Sequence, residues 1–321
     1  MARSVDVAAL VEQARSGSPR ALARLISLVE DARPQLREVM AALAPRAGSA
    51  SVVGLTGSPG VGKSTITSAI VKTLRRKGLR IAVLAVDPSS PFSGGALLGD
   101  RVRMQDHALD PDVYIRSMAS RGHLGGLSRA APQALRVLSA AGFDVVLVET
   151  VGVGQSEVQV AGLADTTVVL VAPGMGDGVQ AAKAGILEVG DVFVVNKADR
   201  EGAAATAREL RQMISLGAGR GPGEWRPPVV TAVASRGEGI DELLAAIEAH
   251  HAWLGVDGRL RTRRVRRAAA EVEAIALVAL RSRLVDLRHG TGLVGLSEQV
   301  VDGTTDPYAA ADVLMERVTA P

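Results

Sequence analysis

The chain contains no cysteine, which removes disulfide frameworks, iron–sulfur clusters and thiolate zinc sites together. Aromatic side chains are 2% of its 321 residues, too few for a platform on which nucleic-acid bases stack. Neither sign of charge dominates: 37 basic and 34 acidic residues leave +3, so no global field attracts nucleic acid. No run of about 18 uninterrupted apolar residues occurs, and the start Met1-Ala2-Arg3-Ser4-Val5-Asp6 lacks an export-type apolar core. These absences lead us to expect a soluble, cytoplasmic protein with neither a membrane nor a nucleic-acid partner. What is present is apolar content: 47%, enough for a large core in one main domain with appendages.

Residues 5 to about 44 place Val11, Ala14, Leu22, Leu25, Ile26 and Val29 at helical period, broken by Pro19 and Pro34, and predict two or three short helices. From residue 51 onward short apolar runs alternate with amphipathic stretches. The strand candidates are 52–56, 81–86, 144–148, 167–171, 192–195 and 229–231. Strands apolar on both faces indicate an α/β fold whose mostly parallel sheet is covered by helices on both sides. Ile240, Leu243, Leu244 and Ile247 then form a helix stripe after the turn at Gly237 and Gly239. Beyond 256 the texture changes. Six arginines fall between 259 and 267, a helical pattern runs from about 264 to 288, and a last short helix is expected over 307–318. The arginines suit a solvated or subunit-facing helix start, or contact with nucleic acid or a coenzyme phosphate. The expected organisation is an N-terminal helical segment (1–48), a core domain (49–256) and a C-terminal arm (257–321), without internal repeats.

Residues 57–64 carry the most specific chemistry: Gly57-Ser58-Pro59-Gly60-Val61-Gly62-Lys63-Ser64, followed by Thr65. Glycines here let successive backbone N–H groups turn toward phosphate oxygens. Lys63 adds charge near the β- and γ-phosphates, and Ser64 offers Mg²⁺ a hydroxyl. The motif sits between an apolar strand and a helix carrying Ile66, Ile70, Val71 and Leu74, the context a phosphate-binding (P-loop) motif requires. A glycine-rich turn that binds nothing would leave a lysine at a positive helix terminus unneutralised.

Downstream, Asn196-Lys197-Ala198-Asp199 follows a strand. Guanine presents N1–H and an exocyclic amino group side by side, so the carboxylate of Asp199 can accept from both; adenine lacks this edge. Asn196 would tie this loop to the phosphate loop, and the stem of Lys197 would cover the base. The expected ligands are therefore GTP and GDP. Asp87 and Glu149, each closing a strand candidate, and Asp100 in Leu98-Gly99-Asp100 are candidates for the metal side, some acting through water because Mg²⁺ keeps several of its own. Gly152 can present an N–H to the γ-phosphate, making the stretch after Glu149 a switch that loses order on hydrolysis.

The strings Val86-Asp-Pro-Ser-Ser90, Gly94 to Met104, Ile115 to Gly122 with Gly125 to Ser128, Glu149 to Glu157, Gly176-Asp177 with Gln180 and Lys183, and Asp306 to Ala310 resemble one family. This is the methylmalonyl-CoA mutase-associated GTPases, also called MeaB or ArgK type, and the resemblance runs from about residue 50 to the end. It implies a homodimeric G protein of the SIMIBI class, dimerising through its C-terminal arm. Such a protein gates adenosylcobalamin delivery to methylmalonyl-CoA mutase and protects that enzyme, with a cobalamin adenosyltransferase as a possible second partner. It also implies switch segments at 87–103, 149–157 and 176–183, metal-side carboxylates Asp87, Asp100 and Glu149, and Arg103 and Lys183 as cations recruited by the mutase. Lys63, Asp87, Glu149, Arg103 and Lys183 form the expected catalytic set of a GTP hydrolase that is slow until stimulated.

Two departures stand out. Where many GTPases carry a Ser-Ala pair beside the base, this chain has Val233-Ala234, leaving the N–H of Ala234 as the expected base contact. Gln155 lies too far beyond Gly152 to be equated with a water-orienting glutamine. Three rivals share parts of the pattern. A nickel-delivery GTPase needs clustered soft or imidazole ligands, but the histidines are scattered at 107, 123, 250, 251 and 289, and an exposed helix end accounts for the adjacent pair. A kinase of a transport-related protein would leave phosphate on an acceptor. A scaffold would bind nucleotide without turnover.

Overall fold

The computed structural model describes residues 6–46, 48–87, 104–107, 109–119, 130–150, 156–174, 187–216, 223–289 and 291–319. They divide into two units, Met1–Arg261 and Thr262–Pro321.

The first unit is built on seven parallel strands: β1 (Ser51–Thr56), β2 (Ile81–Asp87), β3 (Val113–Ala119), β4 (Val145–Thr150), β5 (Thr166–Val171), β6 (Val192–Asn196) and β7 (Val229–Ala232). Their order is β3-β2-β4-β1-β5-β6-β7. The chain departs from β1 toward one edge, returns through β4, and then builds the other half from β5 outward. The carboxyl end of β1 is thus a topological switch point, where open α/β sheets bind ligands.

Alternation along each strand explains the two covered faces, because successive side chains point to opposite sides. Val52, Ala82, Leu84, Val86, Val146 and Val148 face helices α1 (Val7–Arg15), α2 (Pro19–Glu30), α3 (Leu36–Leu43), α5 (Ala131–Ala140) and α6 (Ser156–Leu163). The N-terminal helices belong to this layer: Leu25 and Ile26 are fully buried there, and Glu30 of α2 accepts from Arg116 of edge strand β3 at 2.6 Å. On the opposite face Val53, Leu55, Val83, Val168 and Val194 meet α4 (Lys63–Arg76) and α8 (Ile240–Gly255). Ile66, Ile70, Val71 and Leu74 of α4 are buried in that contact, each stabilising by about 1.5–3 kcal/mol. A smaller cluster packs α7 (Ala203–Leu216) on Val169, Val171, Phe193 and Val195.

β3 is a strand that periodicity missed, because Arg116 and Ser117 interrupt its apolar run at the edge of the sheet. β4 also runs further than its apolar stretch, so Glu149 and Thr150 lie within the strand. The expectation of an exposed histidine pair at a helix end needs correcting. His250 is fully buried, its ring 4.9 Å from that of Trp225 and 5.7 Å from that of Trp253, with Nδ1 2.9 Å from Thr166 Oγ1. Apolar residues 243, 244 and 247 put the next turn's 250 on the same inward stripe.

Helix α9 (Arg259–His289) begins at the first of the six arginines, about five residues before the start that periodicity indicated near 264. In the second unit it is followed by α10 (Thr291–Val301) and α11 (Pro307–Thr319). Asp306 caps α11, its Oδ1 accepting from the N–H groups of Tyr308 and Ala309 at 2.8 and 3.1 Å. Leu296 and Ala310 are buried in this unit, whereas Val265, Val272 and Ile275 of α9 stay more than half exposed.

Candidate nucleotide site

Residues 57–62 leave the carboxyl end of β1 and turn directly into α4. Gly57 has φ +143°, and a Cβ there would collide with the carbonyl oxygen of Leu170. At Gly62, φ +95°, a Cβ would strike the amide nitrogen of Asn196. Only glycine meets both demands, which are conformational at the backbone and steric against neighbouring strands. The loop thereby reaches the sheet closely enough for its amides to converge ahead of the α4 N-terminus, where the helix dipole favours an anion.

Lys63 and Ser64 open α4 and are 7% and 5% exposed. Lys63 Nζ donates to the carbonyls of Gly57 at 2.8 Å and Ser58 at 3.1 Å, curling back over the loop it serves. Ser64 Oγ donates to Glu149 Oε1 at 2.7 Å, and Thr67 Oγ1 donates to the other carboxylate oxygen at 2.9 Å. Glu149, 3% exposed, is thus held at both oxygens by hydroxyls one helical turn apart. A hydroxyl that donates to a carboxylate turns its oxygen to any third group, and an oxygen-only donor set is what a hard divalent cation takes. β2 ends at Asp87 in the strand beside β4, where Ala85 pairs with Glu149; the structure describes the backbone of Asp87 only. Asp100, Arg103, Gly152, Gln155 and Lys183 lie outside the described residues.

The base-reading loop is joined to the phosphate loop by direct bonds. Asn196, 2% exposed, donates from Nδ2 to Val61 O at 2.8 Å and accepts from Ala234 N at 3.2 Å. Lys197, at φ 57°, donates from Nζ to Gly60 O at 2.7 Å. The chain then turns so that Ala198 N donates to Ala232 O at 3.0 Å, presenting Asp199 at the surface. Because the N–H of Ala234 is engaged by Asn196, the neighbouring Ser235, which lines the cleft, is a further candidate to meet the base.

Ser64, Thr65, Lys72, Ala234, Ser235 and Arg236 are among the residues that line a cleft of about 700 Å³, within the range of small-ligand sites. The cleft thus lies between helix α4 and the turn after β7, while the loops after β1 and β6 are tied to each other, and the β6 strand end to that turn, by the hydrogen bonds of Asn196 and Lys197. Two contributors were missed from the sequence. Thr67 follows Ser64 by one helical turn, a spacing that could have found it; Arg236, beside Asp199, carries no motif signal. His107 is paired with Ser68 through Nε2 at 3.0 Å. Among the described residues no group of three or more histidine, aspartate or glutamate side chains is arranged to hold a metal.

The model of a family described as methylmalonyl-CoA mutase-associated GTPase MeaB matches residues 22–288. A Pyrococcus abyssi protein described as a GTPase is 45% identical over 311 residues, 96% of this chain and 96% of that protein. GTPase ArgK of Escherichia coli (strain K12) is 41% identical over 266 residues, covering 81% and 80% of the two chains. Among solved structures, that of a LAO/AO transport system kinase is similar over 100% of both chains, with TM-score 0.73 and 29% identity.

Proposed function

The chain belongs to the family of methylmalonyl-CoA mutase-associated GTPases and is a GTP hydrolase; from that premise we propose that it acts as a G-protein chaperone of an adenosylcobalamin-dependent methylmalonyl-CoA mutase. In this reading it gates cofactor loading and protects the mutase, with a cobalamin adenosyltransferase as a second partner and the cytoplasm as its place. The observation that carries the proposal is the family match over residues 22–288, taken together with the direct bonds between the loop at 57–62 and the loop at 196–199.

GTP enters with its phosphates against the amides of residues 57–62 and its base between Lys197 and Asp199. Lys63 exchanges the Gly57 and Ser58 carbonyls for phosphate oxygens. Ser64 and Glu149, with Asp87 and Asp100, would hold Mg²⁺, which when bound neutralises charge across the β- and γ-phosphates. Glu149 and Thr67 orient Ser64, and Gly152 offers an N–H to the γ-phosphate. Water then displaces GDP from the γ-phosphorus, giving inorganic phosphate. Arg103 and Lys183 are the cations that mutase binding brings to the phosphates, the kind of contribution worth about 10³ to 10⁵ in rate.

A second copy of the chain is the proposed partner of the C-terminal arm. Val265, Val272 and Ile275 fall on one stripe of α9 and expose an apolar surface, as a subunit interface does. The test is phosphate release by the full chain with and without purified mutase: stimulation of tenfold or more is expected, and none at saturating mutase would defeat the proposal. A second reading, phosphoryl transfer to a transport-related protein, draws on the likeness to the LAO/AO transport system kinase. Label from γ-phosphate found stably on protein, in place of free phosphate, would favour it.

A further inference from the structure

Asp199 is exposed at the surface but does not stand alone. Its Oδ2 lies 3.3 Å from Arg236 Nη2, and the other terminal nitrogen of Arg236 lies 3.8 Å from Glu238 Oε1. Arg236 sits on a tight hairpin: Val233 and Glu238 exchange backbone hydrogen bonds at 3.0 and 3.3 Å, and Arg236 N donates to Val233 O at 2.9 Å. Gly237 and Gly239, with φ of 76° and 77°, permit the turn. Three links, Asn196 to Ala234, Ala198 to Ala232 and Asp199 to Arg236, bind this hairpin to the base-reading loop.

We propose that Arg236 is a positioning residue for guanine selection: it fixes the carboxylate of Asp199 so that both oxygens meet the N1–H and 2-amino group of the base together. The inference rests on the reading of Asp199 as the guanine reader. An aspartate at the surface rotates about two side-chain torsions, and two simultaneous hydrogen bonds to a planar edge need both settled. Each carboxylate oxygen has two lone-pair sites, so the guanidinium occupies one on Oδ2 and leaves the others to the base. Glu238 attracts the far end of the fork and biases Arg236 toward the orientation that faces Asp199.

The pair is weak while solvated, with side-chain exposures of 37% for Asp199 and 59% for Arg236. A base laid on Asp199 excludes water from it, and the attraction rises as the local dielectric falls. The orienting force is therefore greatest when guanine is present. Lysine can supply the charge, but its single ammonium cannot bridge Asp199 and Glu238 with a planar fork.

Fluorescent-nucleotide titrations and dissociation rates on the full chain test this, with GTP compared against ITP, which keeps N1–H and lacks the 2-amino group. Arg236→Ala is expected to weaken GTP about tenfold, mostly through faster dissociation, and ITP about two- to threefold, so discrimination falls about three- to fivefold. Arg236→Lys should restore part of the loss, and Glu238→Gln should give a smaller loss of the same pattern. Unchanged or tighter GTP binding would mean that Arg236 competes for the carboxylate, and equal losses for GTP and ITP would mean a merely structural role; either overturns the proposal. Asp199→Asn separates the two levels. If that variant fails to shift preference toward xanthine nucleotides, the base-reading assignment itself is wrong; if it shifts while Arg236→Ala discriminates as wild type, only the positioning role falls.

Discussion

Asn196 is where the two halves of the nucleotide site are most exposed to a single change. Replacing it with alanine removes the donor to Val61 O and the acceptor for Ala234 N in a position 2% exposed. Each buried backbone group left without a partner costs about 1–3 kcal/mol, so the apo protein should lose roughly 2–6 kcal/mol. That is a large share of a stability of about 5–15 kcal/mol, and a folded majority remains wherever the loss stays below the wild-type value. Urea unfolding followed by circular dichroism measures it: the midpoint should fall with little change in slope. Nucleotide affinity should fall as well, because the phosphate loop loses its buried tie to the strand that presents Asp199, the Lys197 bond to Gly60 O remaining. Asn196→Asp supplies the sharper control. An ionised carboxylate keeps the acceptor for Ala234 but faces the Val61 carbonyl with a second acceptor, which raises its folded-state pKa. Its deficit relative to wild type, measured at each pH, should be full above that raised value and shrink as pH falls through it, since a protonated carboxyl donates again. The alanine variant has no such group and its deficit should stay flat. A loss under about 0.5 kcal/mol for alanine, or pH-independence of the aspartate deficit, would refute the reasoning.

Gly57→Ala should abolish tight nucleotide binding, since the new Cβ meets backbone at Leu170 and the φ of +143° is one that L side chains rarely adopt; tenfold or less loss in titration would argue against that steric account. Asp110 is held below the ordinary carboxylate value, chiefly by its 2.8 Å hydrogen bond from Arg75. Its contribution to stability is therefore present above the unfolded value of about 3.9 and is lost as pH falls through the lowered folded value. The stability gap between wild type and Asp110→Asn should close on acidification, and a gap that persists at the lowest pH would count against the pairing. His250→Leu should cost about 1–3 kcal/mol by orphaning the buried Thr166 hydroxyl. Both tryptophans of the chain flank that ring, so intrinsic fluorescence should change with it, and an unaltered emission spectrum in the folded state would contradict the cluster.

The sheet was legible because its strands are buried on both faces and read as continuous apolar runs bounded by turn residues. Where that condition fails, so does the reading. β3 lies at the edge, bonded to β2 alone, and spends Arg116 on an ion pair with Glu30 of α2. Arg116 is explained by a partner 86 positions earlier in the chain, which periodicity cannot see. The same holds for Glu149 and Thr150, which extend β4 beyond its apolar stretch because Ser64 and Thr67 wait across the space to satisfy the carboxylate. His250 shows the opposite error: adjacency to His251 suggested exposure, but the stripe through residues 243, 244 and 247 carries it into the interior.

The site divides along the same physical line. Gly57, Gly62, Lys63 and Ser64 belong to one strand–turn–helix step, in which positive φ, close approach to Leu170 and Asn196, and a helix terminus fall at set positions. Constraints of that kind leave a signature at fixed spacing. Asn196 and Asp199 also fall at fixed spacing, because one strand end must present both the tie to the phosphate loop and the reader of the base. Arg236 meets Asp199 across 37 residues and on a different loop, so no local spacing records it. Such a residue is free to differ among sequences that keep the motif, provided another cation or a lower demand for selectivity takes its place. Among chains that keep Asp199, discrimination between guanine and hypoxanthine nucleotides should therefore vary with the residue at position 236.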